Sequence, residues 1–339
     1  MATYTGFFDM LGLRDWCDSE KKPSLLSLRN LKGEELAWYE FPFPSLDNLH
    51  SACNAIPQTR DMTAGLETGF LTVRPALRTV LDPLTQPLSW ALDGALTLFT
   101  TTPWWALVPI ICFLCYRVSR SASVTVLVAV FMAFFLFTDH YTYAMQTLAI
   151  IFVCTFICVV LGVPMGILMS KSDTTQRVVT PILDMLQTLP TFVYLIPLIF
   201  LFKITEPKLY GMAIILYAIV PVVRLTNLGI RLVDQSVIEA AHAYGLDSRQ
   251  RLLGVEIPLA LPNIMAGVNQ TIMMSLAMVV IASLVSAPGL GTLVLDGINN
   301  LRLGVGFVAG FAIVLLAILL DRVSKAALDR INSAEAKLK

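Results

Sequence analysis

The chain of 339 residues carries 24 acidic and 24 basic side chains, is 56% hydrophobic and is only 14% charged. An ordinary soluble domain carries roughly 25% charged residues, so the composition points to a membrane protein, and a net charge of zero offers no basis for nucleic-acid binding. Charge is dense over the first 90 residues and sparse afterwards outside short loops, which separates a polar N-terminal segment from a membrane domain.

From the N-terminus, the first 20 residues are acidic and lack an apolar core, so no cleavable signal peptide is expected. Residues 1–75 mix prolines, charges and scattered aromatics, among them Trp16, Trp38 and the run Phe41-Pro42-Phe43-Pro44. They read as a weakly structured polar tail with one or two short helices, its aromatics resting on the membrane surface or on the rest of the protein. Between Ala76 and Phe99 an apolar stripe broken by Pro83 and Pro87 predicts an interfacial helix leading into the first span. Seven apolar segments follow, at 97–116, 122–138, 144–169, 182–202, 209–230, 267–287 and 304–320. A span takes about 20 apolar residues, with about 17 to 25 as the working range, so the first, second and last are at the short end. Each must be helical, because backbone groups in lipid have to be satisfied within the segment. The expected fold class is all-α, a polytopic membrane protein with about seven transmembrane helices.

Chemistry-bearing clusters are scarce. Of the six cysteines, Cys17 and Cys53 lie in the tail, while Cys112, Cys115, Cys154 and Cys158 lie in apolar runs, where cysteine behaves as a small hydrophobe. Cys112-x-x-Cys115 lacks the second ligand pair that a metal site needs. The three histidines, His50, His140 and His242, are far apart and have no metal-ligand partner at useful spacing. There is no G-x-x-x-x-G-K phosphate loop, so the chain is not expected to hydrolyse ATP, and Gly289-Leu290-Gly291 reads as a loop glycine pair. No catalytic residue, metal ligand or cofactor is assigned to this chain. Asp184 and Arg224 are the ionisable side chains inside predicted spans, both near span ends. That position favours a mutual ion pair or a helix-end role, whereas a proton relay would want carboxylates near the midplane.

The long polar interruption in the apolar C-terminal half is SVIEAAHAYGLDSRQRLLGVEIPLALP, Ser236 to Pro262. Ser236 and Glu239 form S-x-x-E, a capping box able to start a helix. Ala240, Ala241 and Ala243 give that helix little bulk, so another surface could approach closely. Gly245 can end it in a left-handed conformation, and Asp247 or Ser248 can cap a second helix. Pro258 disfavours helix at Ile257, which predicts that the second helix stops there. Two short helices joined at a glycine, held between spans, are expected.

This stretch resembles the EAA loop of permease subunits of bacterial ABC importers, in which EAA is followed by three residues, Gly, nine residues and I-x-L-P. Glu239, Ala240, Ala241 and Gly245 match outright; Val255 and Ile257 stand where the family prefers Ile and Leu, and Pro258 closes the motif. In that family the loop is a coupling helix that docks in a groove of the ATP-binding subunit. The resemblance therefore implies coupling roles for Glu239, Ala240, Ala241, Gly245, Val255, Ile257 and Pro258.

A second stretch, LDMLQTLPTFVYLIPLIFLF from Leu183 to Phe202, is similar to a span of the glycine betaine/proline betaine/choline branch of these permeases. There an L-D-x-x-Q-T-x-P-x-F-V-Y-L-x-P run recurs, matched here by Asp184, Gln187, Thr188, Pro190, Phe192, Val193, Tyr194 and Pro197. Pro190 and Pro197 free backbone carbonyls and permit a bend, and Gln187 and Thr188 can hydrogen-bond across helices. Phe192 and Tyr194 offer faces along which a quaternary ammonium could pass, with plain core or lipid packing as the competing reading. Gln187, Thr188, Pro190, Phe192 and Tyr194 are the pathway candidates. The run from Ser283 to Leu301 is similar to the same branch, where A-G-G-L-G or a close variant precedes V-L-x-G-I, although Pro288 stands at the first glycine position. The resemblance covers about residues 80–325.

Basic residues fall on alternate loops: Arg117 and Arg120; Lys171 and Arg177; Arg231, Arg249 and Arg251; and Arg322, Lys325, Arg330, Lys337 and Lys339. All can be cytoplasmic at once, which puts the EAA loop and the C-terminus inside. The loops at Asp139-His140 and from Asn299 to Leu303 then face outward and, with seven spans, so does the N-terminal tail. The expected organisation is a tail over 1–75, an interfacial helix and two spans over 76–143, a permease core over 144–325 with the coupling loop at 236–262, and a cytoplasmic tail over 326–339. The resemblance further implies a type I ABC importer permease fold in the bacterial cytoplasmic (inner) membrane. Its implied partners are a second copy, an ATP-binding subunit holding ATP and Mg, and an external substrate-binding protein. The implied cargo is a betaine-type osmolyte, glycine betaine, proline betaine or choline, with trimethylamine N-oxide or an amino acid as the alternative. A stand-alone secondary transporter would instead show midplane carboxylates or an inverted repeat.

Overall fold

A computed structural model describes residues 8–13, 17, 53 and 59–336, and by its contacts the chain divides into two units, Met1–Leu77 and Arg78–Lys339. In the first unit, Cys17 and Cys53 are joined by a disulfide across 36 residues, with both side chains buried. Sequence reading had given these two cysteines no partner. Trp16, Trp38 and the run Phe41 to Pro44 lie outside the described residues. The tail expected to end at residue 75 gives way to helix earlier, at Thr59.

From Thr59 onward the described elements are α1 (Thr59–Thr101), α2 (Trp104–Ser119), α3 (Ala122–Phe137), α4 (Tyr141–Lys171), α5 (Asp173–Thr188), α6 (Thr191–Leu201), α7 (Pro207–Arg231), α8 (Gln235–Ala243), α9 (Ser248–Arg251), α10 (Ile257–Ala282), α11 (Leu290–Asn299) and α12 (Leu303–Ala336). Apolar runs become helices because the helix is the local structure that satisfies its own backbone. Pro83 and Pro87, expected to interrupt the stripe before the first span, leave α1 continuous. They sit four residues apart on one exposed face, so the hydrogen bonds they forfeit share one side. The opposite face, with Thr85, Leu88, Ser89 and Leu92, is buried.

Prolines do break two of the seven expected segments. The segment at 97–116 turns by 113° between α1 and α2, with Pro103 in the N-cap position of α2. The segment at 182–202 turns by 98° between α5 and α6. Leu189 is driven to extended backbone (φ −65°, ψ 133°) by the proline after it. Pro197 stays inside α6 without ending it. Among the described residues, four helical runs are long and apolar enough to cross a membrane, namely α4, α7, the run Ser248–Val285 and α12, or up to six if each bent pair is one span. The short apolar helix α3 completes the set of apolar segments.

Helix α7 forms the centre, with its side chains buried along most of its length between α4 and α10. Glycines bring the three helices close, as is usual where lipid offers no hydrophobic drive between them. A Cβ on Gly162 would lie 2.5 Å from Val222 Cγ1, one on Gly166 would lie 2.6 Å from Thr226 Cβ, and one on Gly267 would lie 3.0 Å from the Val222 Cα. Phe152 and Phe156 of α4 point away from this seam and are 63% and 62% exposed, an apolar face suited to lipid.

The helix ends are pinned at opposite faces of the bundle. At one face the Thr147 hydroxyl of α4 accepts from the Leu290 amide at 2.9 Å. Here the chain turns at Ser286 (φ 68°) and Gly289 (φ 127°), and any Cβ on Gly289 would strike Thr147 Oγ1. Pro288 is thus accommodated between two left-handed residues. Gly291, expected in a loop with Gly289, lies in the first turn of α11. At the other face lie the C-terminal ends of α4 and α7 and the loop that follows α7. Arg330 of α12 donates to the Arg117 carbonyl of α2 at 2.9 Å, joining two ends that the charge pattern had placed on one side.

Candidate functional site

The loop between α7 and α10 starts from an anchored point. Arg231 donates to the Met169 carbonyl at 2.9 Å, to Asp173 at 2.7 Å and to Asn227 at 3.1 Å, which ties the end of α7 to α4 and α5. The Arg231 hydrogen bond holds the Asp173 carboxyl below the usual carboxylate range. The chain then leaves the bundle through Leu232, which is 65% exposed.

Helix α8 is capped by Asp234, not by the Ser236–Glu239 pair expected from the sequence. Its carboxylate accepts the Ser236 amide and hydroxyl, both at 2.9 Å, and those bonds lower its pKa. An aspartate two residues upstream offers a stronger acceptor and turns Ser236 into a donor. Along α8, Ala241 is buried while Glu239, Ala240, His242 and Ala243 are exposed. Gly245 takes the left-handed conformation at φ 75°, its amide donating to His242 and that of Leu246 to Ala241. Asp247 caps α9 in a reciprocal capping box with Gln250. The result is a small-residue helix facing water, flanked by Tyr244 at 87% and Leu253 at 58% exposure.

The second helix does not stop at Ile257. Leu252–Glu256 form a wider, π-type turn that runs directly into α10. Pro258 falls in the first turn of α10, where its missing amide costs little. Ile257 packs against the buried cluster of Ile230, Ala260 and Ile264, as do Val163 and Ile167 of α4; Val255 is half-buried and Pro258 is exposed. Between them Glu256, 2% exposed, accepts from Lys171 of α4 and, at 3.0 Å, from Arg251 of α9. Arg251 also meets His242 Nε2. Sequence reasoning missed this group, because Lys171 and Glu256 are 85 residues apart and no local signal joins them.

The pathway candidates do not share one surface. Phe192 is 55% exposed whereas Tyr194 is buried, its hydroxyl donating to the Leu189 carbonyl at 3.3 Å at the α5–α6 break. Gln187 reaches Met274 Sδ of α10 at 3.8 Å and Thr188 donates to Met185 at 3.4 Å; Pro190 is the N-cap residue of α6. Asp184 and Arg224 form the ion pair allowed for in the sequence reading, with 54% and 41% of their side chains exposed. Among the described residues no group of three or more His, Cys, Asp or Glu side chains could hold a metal ion.

The geometry is that of an apolar helical bundle carrying an exposed, small-residue loop between α7 and α10. Residues 158–333 match the family described as binding-protein-dependent transport system inner membrane component. The chain is 47% identical over 195 residues to the glycine betaine transport system permease protein OpuAB of Bacillus subtilis, covering 56% of this chain and 68% of that protein. It is 37% identical over 286 residues to the glycine betaine/proline betaine transport system permease protein ProW of Escherichia coli, covering 84% and 78% respectively. Its fold is similar to a solved structure of the MetNI methionine ABC transporter in an inward-facing conformation, with TM-score 0.51 and 20% identity over 56% of this chain and 94% of that one. The chain belongs to the binding-protein-dependent transport system inner membrane component family, as a permease component with a type I ABC importer fold.

Proposed function

We propose that the chain is the permease subunit of an ATP-driven importer that carries a betaine-type quaternary ammonium osmolyte across the bacterial cytoplasmic membrane. One observation carries the reading: an exposed EAA helix ending at left-handed Gly245, in a chain similar along most of its length to permeases named for glycine betaine and proline betaine. Two copies enclose the pathway. Glu239, Ala240 and Gly245 meet the ATP-binding subunit, while Ala241, Val255, Ile257 and Pro258 hold the loop in position. ATP and Mg reside on that partner. ATP binding favours one arrangement of the pair over the other by its differential affinity and so switches the pathway between faces. An external binding protein delivers the solute, and Gln187, Thr188, Pro190 and Phe192 line its route.

In this reading the loop and the C-terminus are cytoplasmic, and α1 lies along the outer interface, with exposed Leu84 and Trp90 toward lipid. The 113° turn into α2 supports a surface helix that enters the membrane at Pro103. The Cys17–Cys53 disulfide supports an outer location for the tail, since disulfides persist in oxidising compartments.

The test is uptake of radiolabelled glycine betaine by cells carrying the chain with its partner subunits, challenged with proline betaine, choline and trimethylamine N-oxide. Competition by the betaines supports the cargo, and competition by the N-oxide alone replaces it. Glu239→Lys should abolish uptake, and the retained ATP-binding subunit, while the protein stays in the membrane. Unchanged transport by that variant would remove the coupling assignment.

A further inference from the structure

Helix α8 makes its main contacts with α9 and the π-type turn, not with the membrane helices. Force applied to it has two backbone exits, through Leu232 into α7 and through α9 into α10. The side chains supply a third. His242 on α8 meets Arg251 on α9, Arg251 donates to Glu256 in the π-type turn, and Glu256 accepts from Lys171, the last residue of α4.

We propose that Glu256 is a positioning residue for coupling, the joint through which motion of the loop reaches α4. The proposal rests on the permease reading above. A carboxylate that is 2% exposed persists only where its charge is matched. Here the two cations come from opposite partners, Arg251 from within the loop and Lys171 from the bundle, so neither segment can move far without dragging the other. The backbone at the joint is suited to such a role. Leu252–Glu256 is a π-type turn, a distortion that recurs at functional sites, and a Cβ on Gly254 would meet nothing within 4 Å. The end of α4 is gripped a second time by Arg231 of α7, through the Met169 carbonyl. Displacement of the loop therefore carries α4 and α7 as one body.

The experiment uses the complete transporter, reconstituted in liposomes with its ATP-binding subunit and binding protein, and reads solute moved per ATP hydrolysed. Glu256→Gln should lower that ratio by at least about fivefold, with the ATP-binding subunit still co-purifying. Lys171→Met should lower it in the same direction. The double variant should be no worse than Glu256→Gln alone, because both act on one connection, and Glu256→Asp should recover part of the loss. If Glu256→Gln does not fold, Lys171→Met, which alters a side chain 38% exposed, carries the test. A merely structural role would reduce complex yield and both activities together and leave the ratio at the wild-type value; that result overturns the proposal. A wild-type chain that retains no ATP-binding subunit would overturn the permease reading instead.

Discussion

The Lys208 ammonium donates to the Asp82 carboxylate at 2.6 Å across 126 residues of sequence and lies 5.3 Å from the centre of the Phe202 ring. The Lys208 side chain is 6% exposed and that of Asp82 33%. Arg78 donates to Asp82 at 2.9 Å and to Glu206 at 3.3 Å, so four charges fasten α1 to the start of α7. Asp82→Asn leaves a nearly buried ammonium with Glu206 at 3.3 Å as its remaining acidic partner. Partial exposure of Asp82 places the expected loss near 2 kcal/mol, under the roughly 3–5 kcal/mol of a fully buried pair. Lys208→Met combined with Asp82→Leu should lie closer to wild type than Lys208→Met paired with native Asp82. Thermal unfolding in detergent measures both, and additive losses would contradict the pairing.

The same group sets an acid limit. The hydrogen bond from Lys208, assisted by Arg78 and opposed by burial, lowers the Asp82 pKa. An unfolded aspartate titrates near 3.9. Stabilisation from a lowered folded-state pKa is therefore complete above that value and is lost as pH falls through the folded one. Unfolding temperature should hold steady between about pH 7 and 5 and drop below about pH 4. In Asp82→Asn that acid-side drop should be smaller; an identical profile would assign it to other carboxylates.

Gly166 tests the seam between α4 and α7. A Cβ there would lie 2.6 Å from Thr226 Cβ and 2.7 Å from the Val223 carbonyl oxygen. Backbone cannot yield as a side-chain tip does, so Gly166→Ala should cost about 1–3 kcal/mol and reduce recovery of folded protein on size exclusion. Gly94, with nothing within 4 Å of a Cβ, is the control: Gly94→Ala should be neutral or stabilise by up to about 1 kcal/mol.

At Gly245 the constraint is conformational. Space for a Cβ is open, yet φ is 75°, which costs an L residue about 1–2 kcal/mol. Gly245→Ala should lower uptake, and Gly245→Asn, which tolerates this conformation, should retain more of it at equal membrane abundance. Gly245→Asp adds charge to the exposed loop and should abolish uptake. Equal uptake by the Ala and Asn variants would shift the explanation from backbone to partner contact.

Much of this molecule was legible in its residues. Apolar runs specify helices in lipid whatever their neighbours, which is why α4, α7 and α12 begin close to where composition places them. Glycine before Leu246-Asp247 specifies a left-handed exit and a capped restart, both local effects of one or two residues. The exposed loop after α7 was legible for the same reason, since its residues are continuous in sequence.

Other features were decided by contacts that no window contains. Pro83 and Pro87, on one exposed face, leave α1 unbroken, whereas Pro103 and Pro190 sit at turns of 113° and 98°. The residue type is the same, and only the surroundings separate the outcomes. Asp234 displaced Ser236 as the cap because acceptors compete once the chain has left α7. Phe192 and Tyr194, two residues apart at the start of α6, face different environments, the first exposed and the second buried. Glu256 gave no sign in sequence, since a buried carboxylate is recognised by its partners, and these lie five and 85 residues away. Local backbone preference and hydrophobicity act over a few residues and can be read in order. Charge pairing and close helix packing act across space, so they exist only once the chain has folded.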